Sequence, residues 1–363
     1  MAFIHQVEPW LSGKERLALD TYLKSGGWIT EFGETEALEK KIQAFLGVKH
    51  AVLTTSGTAA LILSLISLGI KRGDKVIVPN LTMVATANAV RLLGAEPVFV
   101  DIESTSLCID PRSIPLPKGT KALIHVSLNG RAGNLQAVRT FCKKHKLHFL
   151  EDSCQAFTSK HTGRYLGTFG DIGCYSLSPH KIITTGQGGI IVTNDKTLYE
   201  RAKRLKDFGR LTGGSDYHEA VGYNFKFTDL QAVFGRAQFK TIRERIRMKK
   251  KLFASYRAHL AGIAEVEFVP TNLRETTPWF VDILVPEHTR KSLIQFLKER
   301  GIGTRPFYPP VTSQPIYRKA KRSSLPVSEN VAARGLWLPS SCFLKEGEVK
   351  KVCASIKDFY DRR

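Results

Sequence analysis

A single lysine, Lys181, stands in the stretch YSLSPHKIITTGQGGIIVTND, between His180 and a run of glycines that leads into an apolar strand. A lysine amine attacks a carbonyl carbon only when it is uncharged, and apolar or cationic surroundings lower its pKa toward neutrality. Most lysines are surface residues, so Lys181 becomes a candidate for catalysis only in combination with other chemically suited segments.

The segment TTSGTAAL has residues suited to binding an anion. A strand ends at Ser56, Gly57 allows close approach of the backbone, and Thr58 begins a helix. Free N–H groups, a hydroxyl group and the positive end of the helix dipole therefore converge on one point. The same residues are equally typical of simple helix N-capping, and this segment alone leaves both interpretations open.

The segment FLEDSCQA is an apolar strand that ends at Glu151 and Asp152. In an open α/β sheet ligands bind at the carboxyl ends of strands, and a carboxylate there can pair with the protonated ring nitrogen of a heteroaromatic cofactor. A capping aspartate explains this segment equally well. In chain order, however, the three segments provide a phosphate site, a partner for a pyridinium nitrogen and an amine for an aldehyde. These are the requirements of pyridoxal 5'-phosphate.

A mostly parallel sheet is the element that would position these residues. In the first two thirds of the chain, apolar strands such as KVIVPN and PVFVDI alternate with helical patterns such as AALILSLISLGI and LQAVRTFCKKHK. Repeated units of this kind predict an α/β fold with a mostly parallel central sheet covered by helices.

The pattern changes after a long basic helix around residues 243–257. VEFVP and WFVDILVP indicate antiparallel strands, and TRKSLIQFLKERG and EGEVKKVCASIKDFYDRR indicate helices. We therefore expect a large cofactor-binding domain, residues 1–245, and a smaller C-terminal α+β domain, residues 246–363.

Composition limits the classes of protein that remain. The chain has 363 residues, of which 42% are apolar, enough for a sizeable core. Its start lacks the basic and apolar regions of a signal peptide, and no segment approaches the roughly 18 apolar residues of a membrane span. Its six cysteines form no CxxC pair and have no histidine at ligand spacing. We expect a cytoplasmic protein with reduced thiols, no metal site and no membrane contact.

The formal net charge of +21 raises the possibility of nucleic-acid binding. The charge is spread through helical stretches such as RAKRLKDFGR and KTIRERIRMKKKL, without a recognition motif or interleaved aromatic residues. We therefore expect a solvated basic surface and no nucleic-acid partner, and the same field would attract an anionic small substrate. A non-catalytic basic protein that binds nucleic acid or regulates transcription stays as an alternative, but it leaves Asp152 and Lys181 unexplained.

The chain resembles the nucleotide-sugar aminotransferases of pyridoxal-phosphate fold type I over nearly its whole length. Within them it is most similar to the perosamine-synthase group, which aminates C4 of a 4-keto-6-deoxy sugar. The segments that carry the resemblance are FLGVKHAVLTTSGTAAL, VIVPNLTMVATANAVRLLGAEPVFVDI, LEDSCQAF, GDIGCYSLSPHKIITTGQGGIIVTND, GYNFKFTDLQAVFGRAQF, TRPFYPP and ARGLWLPSSCFLKEGEV.

The resemblance assigns roles to individual residues. Lys181 would bond to the cofactor and shuttle the proton, Asp152 would hold the pyridine nitrogen, and Gln155 would contact the ring hydroxyl. Asn224 would reach the phosphate from the partner subunit of a homodimer with shared active sites. The phosphate itself would be held within the subunit by Gly57, Thr58, Ala59 and Ser176. The substrates implied are a nucleotide-diphosphate ketosugar and, as amino donor, glutamate.

The chain departs from the family pattern at Met83, where relatives have an aromatic residue that stacks on the cofactor ring. A thioether can cover a ring face, but more weakly. His180, where relatives vary, is a candidate sugar contact, and Arg305 in TRPFYPP is a candidate contact for the anionic substrate. The related 3-dehydratases have a histidine in place of the lysine, so Lys181 argues against that reaction. Amination at C3, or of a cyclitol ketone, stays open.

Overall fold

The computed structural model describes residues 3–317, 320 and 324–363 of the chain, which fold around a large sheet and a smaller one. The strands up to residue 193 are β1 (His50–Thr54), β2 (Lys75–Pro79), β3 (Glu96–Val100), β4 (Thr120–Val126), β5 (His148–Asp152), β6 (Lys160–His161), β7 (Arg164–Tyr165), β8 (Ile172–Ser176) and β9 (Gly189–Thr193). The helices of the same part are α1 (Lys14–Lys24), α2 (Gly33–Leu46), α3 (Gly57–Ser67), α4 (Ala85–Leu92), α5 (Leu135–Lys144) and α6 (Lys196–Lys206).

The C-terminal part is made of helices and short strands. The helices are α7 (Asp229–Phe239), α8 (Ile242–His259), α9 (Glu287–Glu299), α10 (Pro326–Arg334) and α11 (Glu346–Asp361), and the strands are β10 (Glu267–Phe268), β11 (Val281–Leu284), β12 (Arg305–Pro306) and β13 (Gly335–Leu338). None of the helices among the described residues has both the length and the apolar character needed to cross a bilayer.

The large sheet has seven strands in the order β1–β9–β8–β5–β4–β2–β3. Neighbouring strands are parallel except at β9, which is antiparallel to both β1 and β8. The register pairs Val126 with Asp152 and Ser176 with Gly189. The ends of β5 and β8 and the start of β9 therefore meet at one edge, here called the carboxyl edge. The predicted α/β fold with a mostly parallel central sheet is confirmed.

The helices that cover this sheet differ in how much of their surface is apolar. Helix α3 is apolar on nearly every side and packs against β1, β8 and β9 and against α4 and α6, which explains why its polar residues are few. Helix α5 buries only Leu135, Val138 and Cys142, which lie on one face at helical spacing. Its basic residues, Arg139, Lys143 and Lys144, are exposed.

The small sheet has the order β10–β11–β13–β12 and is antiparallel throughout. Helices α8, α9 and α11 pack on it, and Ile4 from the start of the chain joins the same apolar cluster. Residue 245 lies within α8, whose Ile242 packs with the large sheet and whose Phe253 packs with the small one. A division of the chain at residue 245 stays a prediction.

Three residues of the basic stretches are buried, which corrects part of the expected solvated surface. Lys206, Arg245 and Lys249 expose at most 5% of their surface. Lys206 contacts Glu31, with 2.9 Å between Nζ and Oε1, and donates to the carbonyl of Leu53. A buried charge needs partners of this kind. The contacts that satisfy these cations therefore link separate segments of the chain. The six cysteines are free.

Candidate active site

A cavity of about 270 Å³ opens at the carboxyl edge of the large sheet. It lies where α3 begins, where β5 and β8 end, and beside the loop between β8 and β9. Tyr308 from the C-terminal part completes its wall. The cavity brings together most of the residues that the sequence indicated: Gly57, Thr58, Met83, Asp152, Gln155, Ser176 and Lys181.

Lys181 lies in the loop between β8 and β9, which turns back on itself. The N–H of Lys181 donates to Ser178 (3.0 Å), and the N–H groups of Leu177 and Thr185 bond to Gly188 (2.8 Å) and Leu177 (3.0 Å). A Cβ on Gly188 would lie 2.7 Å from the Thr185 hydroxyl, so the closed turn requires glycine there. The glycine run in the sequence thus makes the tight loop that carries the lysine.

The surroundings of Lys181 favour its uncharged amine. Burial is the main reason that its pKa falls from 10.5 to about 8; Cys154 and Asp152 act in the opposite direction, and the nearby charge of Arg305 acts in the same direction as burial. The Nζ atom lies 3.8 Å from the ring centroid of Trp279. A lysine with this pKa has a substantial fraction of free amine just above neutral pH.

Asp152 is buried at the end of β5, and hydroxyl and amide groups surround its carboxylate. The hydroxyl of Thr86 donates to Oδ2 at 2.7 Å, and the N–H of Cys154 donates to Oδ1 at 3.2 Å. The hydroxyl of Thr82 lies 3.0 Å from that of Thr86. Thr86, on α4, is a site residue that sequence reasoning missed. Its signal was only the small, polar character of the helix ATANAVRL.

The start of α3 forms a narrow cradle. Ser56 caps the helix, since its Oγ accepts the N–H of Ala59 at 3.0 Å. The capping interpretation is therefore correct, and the first N–H groups of the helix still lack intrahelical partners. A Cβ on Gly57 would lie 3.0 Å from the Cβ of Ser176 and 3.1 Å from the Sγ of Cys154. Glycine at this position keeps the space in front of the helix end open.

Gln155 and Met83 both line the cavity. The Oε1 of Gln155 accepts the N–H of Asn129 at 2.7 Å, which orients its side chain. Met83 is 46% exposed, and its Sδ accepts the N–H of Ala85 at 3.1 Å. The thioether therefore has a defined position at the cavity wall.

Four of the indicated residues lie outside the cavity lining. Ala59 is buried and its N–H serves the helix cap. Asn224 is exposed and pairs through its backbone with Asp207. His180 lies at the surface, and partial burial of its ring, together with the charge of Lys181, lowers its pKa. Arg305 is exposed on β12, with its guanidinium 5.5 Å from the ring centroid of Tyr308.

The loop after β4 joins the two sheets beside the cavity. The side chain of Asn129 accepts the N–H of Phe280 (2.7 Å) and donates to its carbonyl (2.9 Å). Arg131 forms a bidentate ion pair with Asp282 at 2.7 and 2.8 Å, and both side chains are buried. The sequence analysis did not predict these contacts between the two sheets.

The residues present fit pyridoxal 5'-phosphate. The Gly57 cradle, together with the hydroxyl of Ser176, suits a phosphate group, because helix N-termini bind anions. The carboxylate of Asp152 suits the ring nitrogen, and the amine of Lys181 suits the aldehyde. The described residues contain no group of three or more His, Cys, Asp and Glu residues that could hold a metal ion.

Residues 11–357 match the model of the DegT/DnrJ/EryC1/StrS aminotransferase family. The GDP-perosamine synthase of Vibrio cholerae is 35% identical over 361 residues, 98% of each chain. A UDP-N-acetyl-3-dehydro-alpha-D-glucosamine 3-aminotransferase of Acidithiobacillus ferrooxidans is 32% identical over 326 residues, 88% of this chain and 87% of the relative. The crystal structure of the aminotransferase TlmJ from Streptoalloteichus hindustanus has a TM-score of 0.94 and 28% identity, and the match covers 99% of both chains.

Proposed function

Since the chain belongs to the DegT/DnrJ/EryC1/StrS aminotransferase family, we propose that it transfers an amino group from glutamate to C4 of a nucleotide-linked 4-keto-6-deoxy sugar. The broader activity is that of a sugar aminotransferase that uses pyridoxal 5'-phosphate. The observation that carries the proposal is that a lysine amine and a buried carboxylate, Lys181 and Asp152, line one cavity. The perosamine-synthase relative, similar over its full length, supports C4 as the position.

The cofactor supplies, when bound, an aldehyde that takes up and passes on the amino group and a ring that accepts an electron pair. Lys181 moves the proton at its Nζ, and a pKa of about 8 gives that atom both protonation states near neutral pH. Asp152 would hold the protonated ring nitrogen, and Thr86 orients its carboxylate by donating to Oδ2. Gly57, Thr58 and Ser176 would hold the phosphate.

We further propose that the active site is shared across a homodimer, with Asn224 acting on the partner's cofactor phosphate. Asn224 is exposed, next to Phe225, whose carbonyl accepts the N–H of Thr55 just before α3. The chain also exposes large apolar side chains of the kind that protein interfaces bury, among them Trp28, Ile29, Phe32, Tyr217 and Val221. In a two-fold symmetric dimer, each subunit would contribute the same loop to the active site of its partner.

Mixing two inactive variants tests this arrangement. Lys181→Ala and Asn224→Leu proteins are unfolded, mixed and refolded, and mixed dimers are quantified by mass spectrometry of differently tagged chains. One site of the mixed dimer carries both lesions, while the other pairs an intact Lys181 with an intact Asn224 and should regain activity. A mixture that contains mixed dimers and stays inactive contradicts the role of Asn224 across the interface.

A second candidate is amination at C3, because the 3-aminotransferase of Acidithiobacillus ferrooxidans is 32% identical over 88% of this chain. A cyclitol ketone is a further alternative substrate. The non-catalytic alternative is not retained, because the chain belongs to an enzyme family. A cytoplasmic location stays a prediction from the sequence.

The substrate is identified by a panel of nucleotide-linked 4-keto-6-deoxy sugars, 3-keto sugars and cyclitol ketones, each with glutamate as donor. Formation of 2-oxoglutarate and of the amino sugar is measured, with the Lys181→Ala protein as control. We expect turnover with a 4-keto-6-deoxy sugar. Turnover confined to 3-keto sugars or cyclitols would replace the proposal, and turnover with another amino acid alone would replace glutamate as the donor.

A further inference from the structure

The indole ring of Trp279 forms the surface on which the amine of Lys181 lies. The Nζ atom is 3.8 Å from the ring centroid, and Trp279 itself is only 8% exposed. An ammonium group within about 6 Å of an aromatic face is attracted by the ring quadrupole, most strongly to tryptophan and where water is excluded. The contact joins the loop between β8 and β9, which carries Lys181, to a residue from the C-terminal part of the chain.

Trp279 is fixed in place by contacts on several sides. Its Nε1–H donates to the carbonyl of His180 at 2.8 Å, and its own carbonyl accepts from the Nζ of Lys249 at 2.7 Å. The ring stacks on Phe280 with 3.8 Å between centroids. The indole is therefore held relative to the backbone immediately before Lys181, and it cannot follow the lysine side chain when that side chain moves.

Lys181 lines two cavities. The smaller one, of about 20 Å³, is also lined by Trp279 and Lys249 and has room for about one water molecule. The other is the large cavity. The amine can thus lie on the indole face or extend into the cavity where its carbonyl partner binds.

We propose that Trp279 is a positioning residue for Lys181, whose indole face holds the amine at the cavity wall whenever the amine is not bonded to the cofactor. The inference rests on the proposed function, in which Lys181 alternates between a bonded and a free state. The ring keeps the free amine within reach of the cofactor and away from the carboxylate of Asp152, which would otherwise attract it.

Several charged and titratable groups face the amine besides the ring. Asp152 and Cys154 lie at the end of β5, Arg305 lies on β12, and His180 and Lys249 flank Trp279. The indole contact favours the ammonium form, whereas burial and Arg305 oppose it. Weakening the ring quadrupole without changing its shape should therefore lower the pKa of Lys181 and leave its other neighbours unchanged.

The test measures the pKa of Lys181 in enzyme loaded with pyridoxamine 5'-phosphate, where the amine is free. The four tryptophans of the chain are replaced biosynthetically by a fluorinated tryptophan. Lys181 is then labelled with trace 1-fluoro-2,4-dinitrobenzene at a series of pH values, and its peptide is quantified by mass spectrometry. Fluorination should raise labelling at about pH 7 roughly fivefold, because losing a desolvated contact of this kind lowers the pKa by about one unit.

Matched variants isolate Trp279 from the other tryptophans. In a Trp279→Phe background, fluorination should leave labelling of Lys181 unchanged. Trp279→Leu, with ordinary tryptophan, should reproduce the increase, and it provides the test if the fluorinated protein does not fold. Trp10→Leu serves as control, because it removes another cation–π pair, with Arg245 at 4.4 Å, outside the cavity.

Labelling of Lys181 that is the same in ordinary protein, fluorinated protein and Trp279→Leu would overturn the role of Trp279. So would an equal effect in the Trp279→Phe background. A wild-type protein that binds no cofactor, or a Lys181→Ala protein with the visible absorption of the wild type, would instead refute the proposed function. The two failures are therefore distinguishable.

Discussion

Two regions at the cavity surround ionisable side chains by different means. The acidic wall consists of Asp152 with Thr86 and Thr82, where hydroxyl and amide groups donate to a buried carboxylate. What is here called the aromatic wall consists of Lys181, which lines the cavity, and Trp279, which lines the small neighbouring cavity, so that a ring face and burial surround an amine. Hydrogen-bond donors stabilise the charge of a carboxylate, whereas burial and a ring face act on the amine in opposite directions, because burial favours the uncharged form and the ring face favours the ammonium form. The first wall therefore suits a fixed electrostatic partner, and the second suits a group that gives and takes a proton.

Removing the amine of the aromatic wall should have the largest effect. Lys181→Ala deletes both the group that bonds to the cofactor and the proton carrier, so we expect loss of the visible absorption band and a fall in turnover of at least about 10³-fold. Absorption spectra and single-turnover assays measure both. Lys251→Ala, which changes an exposed lysine on α8, is the matched control. A visible band that survives in purified Lys181→Ala protein would assign the cofactor bond to another residue.

Neutralising the acidic wall should have the next largest effect. Asp152→Asn keeps the size of the side chain but removes its charge, so the ring nitrogen loses the partner that keeps it protonated. Turnover should fall about 10²- to 10³-fold, the scale of losing one preorganised electrostatic contact. The band should remain, because Lys181 is intact. A near wild-type rate in this variant removes Asp152 from the mechanism.

The buried amine of Lys181 should lower the free energy of unfolding of the cofactor-free protein. The folded-state pKa of Lys181, about 8, is below its ordinary value of 10.5, so the unfolded chain binds more protons between these values and stability rises with pH there. Lys181→Met should therefore raise the free energy of unfolding by about 2 kcal/mol at neutral pH, a value reduced from the full shift because part of the side chain reaches solvent. Urea denaturation at about pH 7 and about pH 9.5 measures the gain, which should shrink at the higher pH. An equal gain at both values would mean that packing, rather than charge, is responsible; Lys251→Met should change neither.

The hydroxyl of Thr86 should contribute a smaller effect on the acidic wall. Thr86→Val keeps the shape but leaves Oδ2 of Asp152 without its donor, and we expect turnover to fall about tenfold, since hydrogen bonds to charged groups contribute about 1.5–3 kcal/mol. Thr86→Ser retains the hydroxyl and should recover most of the activity. If the serine variant is as impaired as the valine variant, the methyl group matters and the hydrogen bond does not.

Removing the exposed charge of Arg305, near the aromatic wall, should have the smallest effect on the kinetics. Arg305 is solvent-exposed, so Arg305→Gln should raise KM for the nucleotide sugar only a few-fold, and added salt should have a similar effect on the wild type, because charges are screened beyond about 10 Å at 0.1 M. Steady-state kinetics at low and high salt test both. A KM independent of salt would leave the net charge of +21 without a part in substrate attraction.

The acidic wall and the helix cradle were partly predictable because their key residues stand beside local signals. Asp152 follows an apolar strand, and Gly57 and Thr58 stand where a strand becomes a helix, so position in the chain indicates position at the sheet edge. Thr86 lies 66 residues from the carboxylate that it bonds, and no local pattern indicates which face of α4 meets β5. Contacts of that range depend on how helices pack.

The aromatic wall was less predictable. Trp279 is 99 residues from His180, whose carbonyl it bonds, and in sequence it is indistinguishable from a core residue of a strand. Lys249 stands in a run of three lysines that indicates a solvated face, yet it is buried and bonds the backbone of Trp279. Charge patterns describe the average exposure of a segment, and they do not identify the one cation that the packing encloses.

The buried pair of Arg131 and Asp282 also limits how this chain can change over generations. Replacing either partner alone leaves an unpaired charge in the interior, at a cost of about 3–5 kcal/mol, a large share of the stability of an ordinary domain. Each single step away from the pair therefore passes through a poorly folded intermediate sequence, whereas exchanging both for apolar residues of similar volume avoids it. Positions 131 and 282 should consequently be substituted together or not at all. Related sequences should therefore have only a few combinations of residues at this contact between the two sheets.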